Sequence, residues 1–166
     1  MGFFAFVREI AGDLAADRTD DDALFITASA ILHARPDLQG RDKRLDAMRV
    51  LYVASMIHLG RTGNALFPDD FEATGYGPLV PRLHKDLSRH RPRCLHHEFN
   101  SLTHEQIRSI SLACEGTRNL DGGRMVALTH RNDGAWGSAY VPGDRIHRGR
   151  LMAKEHIAQD YRRLTA

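Results

Sequence analysis

LDAMRVLYVASMIHLG, residues 45–60, is the stretch that decides the fold of this chain. Its apolar side chains recur at helical spacing along one face from Leu45 to Leu59. Residues 50–57 add valine, methionine and isoleucine side chains on the other faces. A helix that is apolar nearly all round has to be covered on several sides. The stretch therefore predicts a buried central helix, which we place over residues 40–60.

Other segments of helical periodicity lie on both sides of the central helix, separated by turn signals. Polar and apolar residues alternate over Phe71–Thr74, which predicts a short strand. The fold class that follows is mainly α, a single globular helical domain with a small β element around Phe71–Thr74. We divide the chain into an N-terminal helical extension, residues 1–22, and a domain, residues 23–166. The other predicted helices cover residues 3–16, 22–34, 78–88, 103–117, 122–130 and 150–164, and residues 136–148 are predicted to be irregular.

The composition is that of an ordinary folded protein. The 166 residues are 42% hydrophobic and 27% charged, and the net charge of +2 is too small to indicate nucleic acid by itself. Arginine far outnumbers lysine, which suits bidentate contacts at an interface, although a GC-rich bacterial genome is the simpler explanation. The first residues show no signal-peptide pattern, and the longest apolar run is about half of a bilayer span. We therefore expect a cytoplasmic protein without a membrane-spanning segment.

No set of residues forms a recognisable catalytic or metal-binding pattern. The densest cluster, Cys94 with His96, His97 and Glu98, lacks a second ligand pair at zinc-like spacing. Cys114 lies on an apolar face of a predicted helix, which favours a buried structural thiol over a nucleophile. We therefore predict no enzymatic activity, no metal and no cofactor. A Cys–His pair that assembles only in space stays an alternative.

The segment from residue 82 to residue 97 is strongly basic. Such a run can contact phosphates, so a DNA-binding regulator is one alternative for the function. No recognition motif accompanies the run, and acidic residues in the N-terminal third balance its charge. We expect an acidic protein rather than nucleic acid to dock there.

Two segments together resemble a known family. The first contains the central helix from Leu45 onward and ends at Pro81 in a Tyr-Gly-Pro-x-x-Pro pattern, and the second is a Leu-Thr-His run followed by a Gly-x-Trp turn. In this order and separation they resemble the Panacea domain, a bacterial and prophage-associated antitoxin family that includes SocA-like proteins. The motif residues that carry the resemblance are Tyr76, Gly77, Pro78, Thr129, His130 and Trp136.

We expect scaffold roles for these motif residues, with direct partner contact as the alternative. Gly77 and Pro78 are expected to fix a corner between the strand and the next helix. Tyr76 and Trp136 are expected to bury aromatic surface while a polar tip is hydrogen-bonded. Residues 129–130 are expected to hold either the last carbonyl groups of their helix or the turn at Gly134.

The resemblance also implies a function, which is that of an antitoxin that neutralises its cognate toxin by direct protein–protein binding. The alternatives are an adaptor that delivers a bound partner to a protease, and the DNA-binding regulator named above. The sequence departs from the family pattern at two positions. Thr74 stands where the family often has tryptophan, and Ala135 stands where proline is usual.

The N-terminal segment is our hypothesis for the toxin-docking site. It concentrates aromatic side chains near one end of the chain, and exposed aromatic anchors are typical of interface hot spots. The alternative is that this helix packs onto the domain. The predicted docking residues are Phe3, Phe4, Phe6, Val7 and Ile10.

Overall fold

The computed structural model describes residues 22–143 and 149–166. Within these ranges the chain is mainly α-helical, with one small antiparallel sheet, which confirms the predicted fold class. The predicted N-terminal helix and the five docking residues lie outside the described ranges, and they stay predictions. The helices are α1 (Ala23–Ala34), α2 (Arg44–Thr62), α3 (Pro81–Leu87), α4 (His104–Thr117), α5 (Gly122–Thr129), α6 (Ala135–Ala139) and α7 (Lys154–Thr165), and the strands are β1 (Glu72–Thr74), β2 (Gly77–Leu79) and β3 (Arg150–Leu151).

Helix α2 is the central element, as the opening stretch predicts. It packs most extensively against α4 and α7, and residues 50–56 are buried throughout. We predict that Gly60 and Gly63 bracket the end of this helix, and α2 continues to Thr62 and ends at Gly63, whose φ of 74° is left-handed. Gly60 allows close packing, since a Cβ atom there would overlap the ring of Tyr161 in α7. The predicted start at residue 40 is wrong, because a 3-10 turn, Arg41–Lys43, precedes the helix.

The small sheet has the strand order β2-β1-β3, with both pairs antiparallel. The predicted strand is confirmed as β1, but Pro78 does not start a helix as predicted. It lies in β2 opposite Ala73, and the following helix begins at Pro81. Proline suits the first turn of a helix because no hydrogen bond is lost there. The Gly77–Pro78 pair is therefore part of a β-hairpin rather than a corner from strand to helix.

The C-terminal part differs from the prediction in two places. Residues 135–139 form the short helix α6 instead of irregular structure. Arg150 and Leu151 pair with β1 as strand β3, so the last helix begins at Lys154 rather than at residue 150. Gly149 makes this pairing possible, because a Cβ atom there would overlap the backbone of Ala73. Sheet pairing across the domain thus overrides the helical periodicity of this segment.

The helix starts were predicted well where a capping side chain marks them. The Asp22 carboxylate accepts a hydrogen bond from the Phe25 N–H at the start of α1. Thr103 and Gln106 form a capping box at the start of α4, each side chain accepting a hydrogen bond from the other residue's backbone N–H. Among the described helices, none combines the length and the apolar character that crossing a membrane requires.

Candidate functional site

The two motif segments meet in space and form one cluster beside the β-hairpin. The indole Nε1–H of Trp136 donates a hydrogen bond to the Thr74 carbonyl oxygen over 2.9 Å. The His130 ring lies against Gly77, and its centroid is 5.0 Å from that of Trp136. We call these residues, Thr74, Tyr76, Gly77, Thr129, His130 and Trp136, the motif cluster.

Both the backbone conformation at residue 77 and the neighbouring His130 ring require glycine at this position. Its φ of 107° lies where residues with a side chain are strained. A Cβ atom at this position would also overlap the imidazole of His130, which covers the glycine. Glycine at residue 77 and histidine at residue 130 therefore form one packing unit.

Thr129 and His130 close the end of α5, as predicted. The Thr129 hydroxyl donates to the Met125 carbonyl oxygen over 2.9 Å. His130 Nδ1 lies 3.1 Å from the Val126 carbonyl oxygen and can donate to it. Both bonds reach carbonyl groups of the last turn of α5, and the Val126 carbonyl oxygen also accepts from the His130 backbone N–H over 2.8 Å.

The Thr74 departure from the family pattern has a direct structural role. Its buried hydroxyl donates to the Gly77 carbonyl oxygen over 2.9 Å and accepts from the Tyr76 N–H over 3.2 Å. The Thr74 side chain thus stabilises the hairpin turn through hydrogen bonds with two of its residues. A tryptophan at residue 74 could not make either bond.

The Ala135 departure supplies a hydrogen-bond donor that proline lacks. The Ala135 N–H donates to the carboxylate of Asp160, with distances of 3.1 and 3.3 Å to the two oxygens. The Tyr52 hydroxyl donates to the same carboxylate over 2.9 Å. Asp160 is 4% exposed, so it fastens α7 to α2 and to the start of α6 from inside the protein. Burial, and then the charge of Asp160, raise the pKa of Tyr52 far above its usual value, which keeps the hydroxyl protonated as a donor.

Asp160 is the residue that sequence reasoning missed. It lies in a helix rich in charged residues, and nothing in its neighbourhood distinguishes it from a solvated carboxylate. The signal that could have found it is the Leu-Tyr pair of the central helix. A tyrosine inside an otherwise apolar helix needs a hydrogen-bond partner when it is buried.

The two motif aromatics have different environments. Trp136 is buried as predicted, and its ring stacks on Tyr140 with the centroids 4.4 Å apart. Tyr76 was predicted to be buried, and this is wrong, because it is 40% exposed at the hairpin turn. The turn directs the Tyr76 side chain away from the core, so it is the motif residue that a partner can reach most easily.

The candidate catalytic groups are placed unfavourably for nucleophilic chemistry. Both cysteines are buried and neither forms a disulfide. Burial, and then the nearby Asp86 charge, raise the pKa of Cys94 to about 12. Burial likewise raises the pKa of Cys114 to about 11, so both thiols stay protonated near neutral pH. Residues 22–143 and 149–166 contain no group of three histidine, cysteine or acidic side chains arranged to hold a metal ion.

Comparison with protein families bears directly on the motif cluster. The family described as "Antitoxin SocA-like, Panacea domain" matches residues 48–137, more than half of the chain. The chain belongs to this family. The match begins inside α2 and ends just after Trp136, so both segments of the Panacea motif cluster lie within it. Comparison with curated proteins and with solved structures gave no match.

Two histidines make the stability of this Panacea domain depend on pH. Burial lowers the pKa of His58 below 6.5, and burial and then the Arg49 charge lower the pKa of His130. The unfolded chain therefore takes up protons first as the pH falls through 6.5. We expect the free energy of unfolding to decrease from about pH 7 to about pH 5, by at most about 1.4 kcal/mol per pH unit for each histidine.

Urea unfolding at several pH values measures this dependence. The His58→Gln variant should show a smaller loss between pH 7 and pH 5 than the wild type, since glutamine does not titrate. His156→Gln is the matched control, because His156 is exposed on α7. An equal pH dependence in the wild type and in the His58→Gln variant would contradict the assignment.

Proposed function

We propose that this chain is an antitoxin that neutralises a protein toxin by binding to it directly. The observation that carries the proposal is the SocA-like Panacea match over residues 48–137. The geometry of the motif cluster supports it. Trp136 in α6 donates to Thr74 in β1, and Tyr52 in α2 and Ala135 in α6 both donate to Asp160 in α7, so these bonds hold the sheet and the three helices in fixed positions. A preorganised surface loses less conformational entropy when a partner binds.

We propose that neutralisation needs no catalytic step by this chain. The motif side chains that are best placed for chemistry are already used for structural bonds. Thr129 and Thr74 donate to backbone carbonyl groups, and Asp160 accepts from two buried donors. The raised pKa values of Cys94 and Cys114 also favour structural roles for the thiols. We further propose that the encounter takes place in the cytoplasm, where a toxin made in the cell would meet this chain.

Expression of the gene beside this one tests the proposal. We expect its product to stop growth when it is produced alone, and growth to resume when this chain is produced with it. The two proteins should then co-purify as a complex with a fixed stoichiometry. Asp160→Ala, which removes a buried link, should rescue poorly, while Asp133→Ala at an exposed site is the matched control. A non-toxic neighbour, or a toxin that this chain neither binds nor neutralises, would refute the proposal.

The amount of toxin during rescue separates binding from delivery to a protease. An unchanged toxin level during rescue supports neutralisation by binding alone. A toxin level that falls only when this chain is present would favour the adaptor alternative instead. The measurement is an immunoblot of tagged toxin after its synthesis is stopped.

The N-terminal docking hypothesis has its own test. A truncated chain that lacks residues 1–16 should keep a cooperative thermal transition and lose neutralisation if Phe3, Phe4 and Phe6 contact the toxin. Loss of the transition would show instead that this segment stabilises the domain. These residues lie outside the described ranges, so the hypothesis rests on the sequence alone.

A further inference from the structure

One surface of the domain collects exposed cations from two separate parts of the chain. They lie on the 3-10 turn before α2, on α3, and on the segment that follows α3. We call this surface the basic face, and its residues are Arg41, Lys43, Lys85, Arg89, Arg91 and Arg93.

Hydrogen bonds hold these elements side by side. The Arg44 guanidinium donates through Nε to His84 Nε2 over 3.3 Å, and through Nη1 to the Arg41 carbonyl oxygen over 2.6 Å. The turn before α2 is thereby fixed next to α3. The backbone N–H groups of Arg93 and Cys94 donate to the Asp86 carboxylate over 3.0 and 2.9 Å. The segment after α3 is thereby fixed against the same helix.

The basic face has little negative charge of its own. Asp86 is the acidic residue between residues 82 and 97, and it is 3% exposed and already accepts two backbone hydrogen bonds. Asp42 is an exposed acid within the turn before α2. In the part of the chain that the structure describes, no carboxylate forms an ion pair with Lys85, Arg91 or Arg93. An anionic partner would supply the opposite charge that these three cations lack within the described residues.

We propose that the basic face docks an acidic protein surface. The acidic partner is the toxin, and to that extent this inference rests on the proposed function. Opposite charges on two proteins speed their encounter and fix the orientation in which they bind. Docking on this face would therefore speed the capture of the toxin.

The neighbourhood of α3 favours a protein over DNA. A helix that reads DNA presents the residues of its first turns to the groove. Here Arg82, in the first turn, forms ion pairs with the carboxylates of Asp22 and Asp69. Leu83 and Leu87 are buried, so the seven-residue helix is largely used for packing. Carboxylates are thus the anions that this side of the domain already binds.

The test compares two triple variants of the full chain that lower the net charge equally. Lys85, Arg91 and Arg93 are replaced by glutamate in the first variant, and Arg108, Arg118 and Arg124, exposed on or next to α4 and α5, in the control. Binding to a fluorescent oligo-glutamate peptide is measured by anisotropy at several salt concentrations. We expect the first variant to bind about tenfold more weakly than the wild type, and the control within about threefold of it. Thermal unfolding checks that both variants are folded.

Three outcomes would overturn the inference. Equal weakening of both variants would show that only net charge matters. Tighter binding of a DNA duplex of equal charge through the same three residues would favour the nucleic acid alternative. If the first variant rescues cells from the toxin as fully as the wild type does, the basic face does not contribute to neutralisation. The peptide assay does not use the toxin, so a failure of the proposed function is distinguishable from a failure of this inference.

Discussion

Replacing Gly77 with alanine is expected to lower the free energy of unfolding by about 2–6 kcal/mol. Two costs combine at this position. The φ of 107° strains any residue with a side chain, by about 1–3 kcal/mol. The new methyl group must also push the His130 ring away, and overpacking of this kind costs about 1–3 kcal/mol. Chemical denaturation at neutral pH measures the sum.

Two further variants separate these costs. Gly63→Ala places a methyl group at a φ of 74° with no neighbouring atom within 4 Å. This variant should therefore show only the cost of the strained backbone conformation. The double variant Gly77→Ala, His130→Ala removes the ring that the methyl group would overlap. It should be less destabilised than the sum of the two single variants predicts. Equal losses for Gly77→Ala and Gly63→Ala would mean that His130 does not restrict residue 77.

Replacing Asp160 with alanine is expected to cost about 3 kcal/mol or more, because two buried donors lose their acceptor at once. The Tyr52 hydroxyl and the Ala135 N–H both donate to this carboxylate, and all three residues are buried. A buried polar group without a partner costs about 1–3 kcal/mol. Urea unfolding, followed by circular dichroism, gives the measured value.

A double-mutant cycle assigns part of this loss to Tyr52. Tyr52→Phe removes the hydroxyl, so in the double variant with Asp160→Ala the hydroxyl is no longer buried without a partner. The double variant should therefore be more stable than the sum of the single losses predicts. Asp133→Ala is the control, since it removes an exposed ion pair with Arg131 and leaves the bond between Tyr52 and Asp160 in place. Strict additivity would contradict the direct bond between Tyr52 and Asp160.

The central helix, the strand β1 and the capped helix starts could be predicted because their determinants are local. A run that is apolar on all sides has to be buried, and a threonine three residues before a glutamine caps a helix wherever it lies. The start of the last helix was predicted wrongly because it depends on distant residues. Residues 150–151 leave the helical pattern because β1 offers them hydrogen bonds.

The candidate site divides in the same way. The motif residues could be named from the sequence because their order and spacing resemble the pattern of the Panacea family. The exposure of Tyr76, the covering of Gly77 by His130 and the link through Asp160 could not be predicted. Each depends on contacts between residues that are far apart in sequence, and periodicity carries no information about such pairs.

The sequence by itself determined the fold class, the buried helix over residues 45–60 and the family, since these follow from patterns read along the chain. Only the tertiary structure decided which polar groups are buried and which cations share a face. The physical reason is that burial and charge repulsion depend on distance in space. Asp160 is an anchor because Tyr52 lies 2.9 Å from it, and the basic face exists because Arg44 holds two distant segments together.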